Sequence, residues 1–223
     1  QSIEQCLYEG QTLLVQVTKE PLGSKGARLT AEIAIPSRYL VFLPYSSSMI
    51  GISSRIESAE ERQRLKEIAL ERMGVLTQAF IEMQAKEETL LTRLVSSSES
   101  CEQYGFIIRT AAEGAKENLL GADMDFLCQF WKDIREKASK AKPCSLIYQD
   151  FSLVLRTIRD LKGSMIEQVK VDSRDTFHEV VNFAKKFLPD LVPLLVHYSG
   201  ERPIFDLYGI DEEINKALER HVQ

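Results

Sequence analysis

The stretch of this chain best equipped for chemistry is Gly105-Phe106-Ile107-Ile108-Arg109-Thr110. Three apolar residues after a glycine predict a strand buried on both faces, a rigid mount for the residues at its end. The first of these is Arg109, a planar fork of donors with a permanent charge. Thr110 adds a hydroxyl, and Ala111-Ala112-Glu113-Gly114 reads as a turn toward a helix. Arginine, hydroxyl and free backbone amides at a strand end can bind phosphate through bidentate, charge-assisted hydrogen bonds. The plainer reading is an arginine that ends its strand in solvent or against a surface carboxylate. Taken alone, the local pattern favours that plainer reading.

Other chemistry-bearing residues are more scattered. Lys19, Lys25, Arg28 and Arg38 face only Glu20 and Glu32 between positions 19 and 38, a positive island in a chain of net charge −5. That island is either a solubilising loop or a local anion contact. The overall acidity argues against bulk, sequence-blind nucleic-acid binding, which needs many basic contacts to phosphate. His178, His197 and His221 stand apart from one another and read as surface or packed histidines. Cys6, Cys101, Cys128 and Cys144 share no short spacing, so reduced thiols are expected rather than disulfides or zinc. Asp123 and Asp125, two apart on a predicted helix, turn away from each other, which argues against a shared metal and for a solvated face. Asp206 and Asp211 flank a glycine and could approach one another as a metal pair, but Asp211 reads better as a helix cap.

The elements that must position these groups are legible in the periodicity. Strands are expected over 11–17, 28–35, 39–44 and 104–110, and shorter ones over 145–149, 165–171 and 192–198. In the second, Leu29, Ala31, Ile33 and Ile35 share one face while Arg28, Thr30 and Glu32 face water. Residues 45–54, rich in serine and glycine, read as a loop. Ser58 and Glu61 stand at capping-box spacing and open helical periodicity running to Leu94, as two helices or one bent at Gly74. Helices are also expected over 117–139, over 151–161, from Asp172 or Ser173 to Pro189, and from Asp211 on, with Ile214, Ala217, Leu218 and Val222 facing inward. Unequal clusters of strands and helices without a repeat make the fold class α+β. No apolar run approaches the roughly 20 residues that span a bilayer, and no signal-peptide pattern opens the chain, so a cytoplasmic location is expected. The absence of an initiator methionine suggests a piece of a longer protein.

Taken together, several stretches resemble the ribonuclease E/G family, its ribonuclease G branch more than its ribonuclease E branch. They are 19–30 (Lys-Glu-Pro-Leu-Gly-Ser-Lys-Gly-Ala-Arg-Leu-Thr), 36–42 (Pro-Ser-Arg-Tyr-Leu-Val-Phe), Arg55-Ile56-Glu57-Ser58, 105–114, 202–207 (Arg-Pro-Ile-Phe-Asp-Leu) and Ala217-Leu218-Glu219-Arg220. They lie in the family's order and reach nearly from end to end. The resemblance implies that residues 1–31 are the C-terminal part of an OB-fold RNA-binding domain, 32–154 a 5′-sensor region and 155–223 an RNase H-like segment. It also implies a catalytic domain beyond this chain. The family's Asp-x-Asn metal motif does not occur here, so no catalytic or metal residue is expected within the chain.

By the same resemblance the 5′-phosphate is bound at Arg109, Thr110, Ser37 and Val41. The family has glycine at the position of Ser37, a departure that adds a side chain and a hydroxyl. RNA contact falls on Lys25, with Arg28 and Arg38 beside it. The stretch from about Gly74 to Ser100 is longer than the family's usual connection. The implied parent is a magnesium-dependent endoribonuclease, a homo-oligomer acting on single-stranded RNA with a 5′-monophosphate, with its magnesium bound outside this chain. Alone, the chain is expected not to cut RNA. The competing expectation is an acidic α+β interaction module without an RNA role, presenting the helices at 58–94 and 117–139 to a protein partner.

Overall fold

The computed structural model describes residues 7–46, 49–87, 104–161 and 166–218. The chain divides into two compact units, residues 1–150 and 151–223. Both mix helices with small sheets, so the fold is α+β. No closed barrel occurs among the described residues.

The first unit opens with a hairpin of β1 (Gln16–Lys19) and β2 (Arg28–Thr30), antiparallel with an irregularity between Val17 and Lys19. The strand expected over 11–17 therefore starts later, and that expected over 28–35 is interrupted. Leu29 is 55% exposed although its parity predicts the buried face, whereas Ile33 is buried. A two-stranded hairpin has no layer behind it to bury its apolar positions, so alternation alone does not decide which face is dry. The Gln16 side-chain amide donates to the Ala34 carbonyl and accepts from Ala34 N–H, tying the hairpin to the chain that leaves it.

The centre of this unit is a four-stranded sheet, in the order β3 (Ile35–Pro36), β4 (Leu40–Leu43), β6 (Gly105–Ile108), β5 (Ile50–Ile52). β6 lies between β4, antiparallel, and β5, parallel, so its ladder is filled on both edges. The register sets Leu40 opposite Ile108 and Phe42 opposite Phe106, and all four are buried. Gly105 is required sterically: a Cβ there would meet Ser46 Cβ at 2.9 Å and the Ser46 carbonyl at 3.0 Å. β5 lies in the segment expected to be a loop, for it is three residues long with a glycine at its centre.

Two helices cover the sheet. α1 (Ala59–Glu87) runs through Gly74 without a break, and α2 (Glu117–Lys140) matches its expected span closely. Leu65 and Ala69 of α1 and Leu120, Met124, Leu127 and Trp131 of α2 are buried with the sheet's inner residues. Arg72 on α1 grips Asp125 on α2 with Nε to Oδ1 at 3.0 Å and Nη2 to Oδ2 at 2.5 Å. The Asp123–Asp125 pair therefore does not lie on a solvated face. Asp125 ties the two helices together and Asp123 points inward, 8% exposed. Residues 145–149 form no strand. The remainder of the helical run expected to reach Leu94 lies outside the described residues.

The second unit pairs β7 (Val169–Val171) in parallel with β8 (Leu195–His197) through the crossover helix α4 (Arg174–Phe187), after the short helix α3 (Leu153–Asp160). Ser152 and Ser173 cap α3 and α4 through their hydroxyls. Of the two capping residues expected for α4, Ser173 caps the helix, and Asp172 accepts from Ser173 N–H. Residues 189–194 form a 3-10 turn, which shortens the strand expected over 192–198. Two short helices complete the unit, α5 (Ile204–Tyr208) and α6 (Ile210–Ala217). They are separated by Gly209 at φ +63, a left-handed conformation that suits glycine. Gly209, not Asp211, is the N-cap of α6. Ile214 and Leu218 are exposed, the latter 78%, where an inward face was expected. Val222 lies outside the described residues.

Candidate anion-binding site at the end of the central strand

The sheet order brings three loops to the end of β6. β4 runs antiparallel to β6, so the 37–39 turn that precedes it lies there, and β5 runs parallel, so the 53–56 turn after it lies there too. Backbone hydrogen bonds lock this assembly. Arg109 N–H donates to the Tyr39 carbonyl at 2.8 Å, and Ser53 N–H to the Ile108 carbonyl at 2.8 Å. Past Arg109 the chain enters a 3-10 turn, Thr110–Ala112.

Arg109 is exposed, and its Nη1 donates to the Ser37 carbonyl. Among the described residues this is its one side-chain hydrogen bond, and no carboxylate pairs with it. The neutral carbonyl fixes the guanidinium without neutralising it, and no acid among the described residues takes its other N–H donors. Of the two forms of the plainer reading, the arginine closed on a surface carboxylate is not what the described residues form, and the arginine ending its strand in solvent matches the exposure of Arg109. Thr110 is exposed beside it, with Oγ1 3.1 Å from Ser53 Oγ. Ser53 Oγ accepts from Arg55 N–H at 3.3 Å, and its carbonyl accepts from Arg62 Nη1 at 2.8 Å. With a donor already on its oxygen, Ser53 can give its own proton to Thr110, which leaves the threonine proton for an incoming acceptor.

Ser37 is 1% exposed, and its hydroxyl lies 2.5 Å from Asp123 Oδ2 and 3.1 Å from the Leu40 carbonyl. Its N–H donates to the Leu40 carbonyl at 2.8 Å. Only its carbonyl, taken by Arg109, faces the strand end. Val41 is half-buried and stands opposite Ile107. Arg38 is exposed, with its guanidinium 5.1 Å from the centroid of the Tyr39 ring. Lys19, Lys25 and Arg28 are all exposed on the hairpin and the loop that joins its strands, and Lys19 stands directly opposite Arg28. Like charges opposed across a ladder destabilise it unless an anion intervenes.

Sequence reasoning did not find the support beneath this site. Glu61 is joined to its capping partner through the backbone, Glu61 N–H to Ser58 Oγ at 3.2 Å, but its carboxylate does not close the box. It turns to Gly114 N–H at 2.8 Å and to Arg64, whose Nη2 also donates to the Ala115 carbonyl at 3.0 Å. The N-terminus of α1 is thereby fastened to the turn that carries Thr110. The Arg64 side-chain hydrogen bonds, and after them the Gly114 N–H, lower the Glu61 carboxyl from 4.5 to about 2, against the opposing effect of burial. A depressed carboxyl stabilises the fold fully above its unfolded value and loses that contribution as pH falls toward its folded value. The stability gap between the native protein and Glu61→Gln should therefore be widest above about pH 4.5 and close toward pH 2, measured by urea unfolding across that range. A gap independent of pH would contradict the assignment.

No group of three or more His, Cys, Asp or Glu among the described residues could hold a metal ion. Asp206 and Asp211 belong to no such group, and Asp206 uses its carbonyl to accept from Arg202.

The ribonuclease E/G family model matches residues 34–88 and 79–223, most of the chain. The chain belongs to the ribonuclease E/G family. Among its relatives, ribonuclease G of Haemophilus influenzae is 43% identical over 221 residues, 99% of this chain and 39% of that protein. Ribonuclease G of Salmonella typhimurium is 39% identical over 99% of the chain and 40% of that protein. Ribonuclease E of Haemophilus influenzae is 32% identical over the whole chain and 21% of that protein. The chain thus spans about 40% of the ribonuclease G proteins it matches. The Arg109 site and its supports at 37–39 and 61 lie inside the segments that the ribonuclease E/G model covers. No helix among the described residues is long and apolar enough to cross a membrane.

Proposed function

We propose that this chain is the RNA-binding, 5′-monophosphate-sensing portion of a magnesium-dependent endoribonuclease that acts on single-stranded RNA in rRNA maturation and mRNA decay. The parent is an oligomeric enzyme of the cytoplasm. Magnesium, held by residues outside this chain, would supply the activated water there, and this chain's own residues would do the recognition. Residues 1–31 end an OB-fold, 32–154 form the sensor and 155–223 an RNase H-like segment. The observation that carries the reading is the Arg109 guanidinium, oriented by the Ser37 carbonyl and free of any carboxylate among the described residues.

In this reading the terminal phosphate sits on the remaining N–H groups of Arg109 and on the Thr110 hydroxyl, whose proton is available when Ser53 donates the bond between the two hydroxyls. Val41 supports the wall of the pocket from β4, and Ser37 frames it through its backbone. A 5′-hydroxyl offers no anion to this fork, and a triphosphate brings added bulk. Lys25 and Arg28 on the hairpin, with Arg38 nearer the sensor, hold the RNA backbone, which relieves the opposed charges of Lys19 and Arg28. The family assignment does not favour the protein-interaction module without an RNA role.

Hydrogen bonds to charged groups contribute about 1.5–3 kcal/mol each, and about 1.4 kcal/mol is tenfold in affinity. Titration of the chain with one single-stranded RNA carrying either a 5′-monophosphate or a 5′-hydroxyl should show a roughly tenfold to hundredfold preference for the phosphate. Equal affinities would overturn the reading. Arg28→Glu should weaken both RNAs alike and flatten the dependence of affinity on salt, since the hairpin touches backbone and not the terminus. A loss confined to the phosphorylated RNA would remove the hairpin from this role.

A further inference from the structure

The carboxylate of Asp123 is buried at the inner side of the 37–39 turn, 8% exposed, and no part of the proposed phosphate site uses it directly. Its Oδ2 accepts from two donors that lie more than eighty residues away in sequence. One is the Ser37 hydroxyl at 2.5 Å and the other Tyr39 N–H at 3.0 Å. The same two residues face Arg109 from their other side, the Ser37 carbonyl accepting from its Nη1 and the Tyr39 carbonyl from its N–H. The turn is therefore held between a helix carboxylate and the strand-end arginine.

We infer that Asp123 is a positioning residue for the 5′-sensor, setting the direction of the Arg109 guanidinium through the Ser37–Tyr39 turn. The inference rests on the sensor reading above. Removing the carboxylate leaves the buried Tyr39 N–H without its acceptor and turns the Ser37 hydroxyl wholly to the Leu40 carbonyl at 3.1 Å, so the turn loses its anchor to the helix at both residues and shifts to satisfy the Tyr39 N–H. Any such movement displaces the Ser37 carbonyl that aims the fork. The hydroxyl added here, at a position where a glycine was the family expectation, gives the carboxylate a second handle on that turn. Asp123 touches neither phosphate nor RNA, so its effect has to pass through Arg109.

The test compares Asp123→Ala, Arg109→Ala and the double variant by fluorescence anisotropy with 5′-monophosphate and 5′-hydroxyl RNA, each checked by thermal unfolding. Asp123→Ala should cut the preference for the phosphate by about five- to tenfold, a part of what one charge-assisted hydrogen bond supplies. Affinity for the hydroxyl RNA should stay the same. The double variant should show no smaller preference than Arg109→Ala alone, which a general weakening of the fold would not produce. Asp123→Asn, which keeps one oxygen able to accept both donors, should hold the preference within about threefold of the native chain. If Asp123→Ala does not fold, Ser37→Ala, which cuts one of the two tethers, is read in the same way. An undiminished preference in the folded variant, beside its loss in Arg109→Ala, overturns the positioning role and leaves the sensor standing. An undiminished preference in Arg109→Ala overturns the sensor and the inference with it.

Discussion

Arg109→Ala should lower the affinity for 5′-monophosphorylated RNA by about tenfold to a hundredfold and leave 5′-hydroxyl RNA unchanged. The range corresponds to one or two charge-assisted hydrogen bonds at about 1.5–3 kcal/mol each. The selectivity comes from geometry: the guanidinium is exposed, it forms no ion pair among the described residues, and its one hydrogen bond is to a backbone carbonyl. Its removal leaves the Ser37 carbonyl at an exposed strand end, where water can replace it, so the fold should survive. Arg109→Lys separates charge from shape. A lysine keeps the charge but cannot bond the carbonyl and a phosphate in one plane, so a residual preference smaller than the native one is expected. Equal losses for both RNA ends in Arg109→Ala would show that the arginine holds the strand end and not the terminal phosphate.

The second large effect is on stability. Phe106→Ala should cost about 3–5 kcal/mol, the range for truncating a buried aromatic in a core that cannot collapse around the gap. Phe106 is fully buried on the central strand, with its ring 5.3 Å from that of Phe42, which lies 6.2 Å from Trp131. Its backbone N–H also closes on the Met49 carbonyl at 2.8 Å, so the gap opens where β5, β6 and β4 meet. Trp131 is the single tryptophan of the chain and belongs to this core. Its fluorescence in a urea titration therefore reports the first unit alone. A midpoint shift worth under about 1 kcal/mol would mean that the core repacks around the missing ring.

How much the sequence revealed depended on whether the signal was local. Helix α2 was legible almost to the residue, because its apolar positions recur at helical spacing and Pro143 lies just beyond it. The strand before Arg109 was legible because glycine and three apolar residues precede a charge. The same kind of signal failed over 145–149, where a strand-like run found no partner to complete a ladder. It failed again at Ile50-Gly51-Ile52, where the partner, β6, lies more than fifty residues away and supplies what the three residues lack. At the site, Arg109 and Thr110 stood out as candidates from their neighbours, but the local pattern favoured the plainer arginine and only the resemblance along the whole chain assigned them the phosphate. Asp123 could not, since a spacing of two correctly separated it from Asp125 and gave no hint of which carboxylate would turn inward. Its burial depends on Ser37 and Tyr39, which are distant in sequence. The carboxylate of Glu61 escaped for the same reason: the box partner was local, but Gly114 offered it an N–H from a different element.

The side chain of Arg109 can be observed directly. Its Nε–H resonance, assigned by its disappearance in Arg109→Lys, can be tracked while the native chain is titrated with the two RNAs in turn. The account predicts that the resonance moves on addition of the 5′-monophosphate RNA and stays in place with the 5′-hydroxyl RNA at equal occupancy. Movement of the same size with both, or none with either while RNA binds, would contradict it.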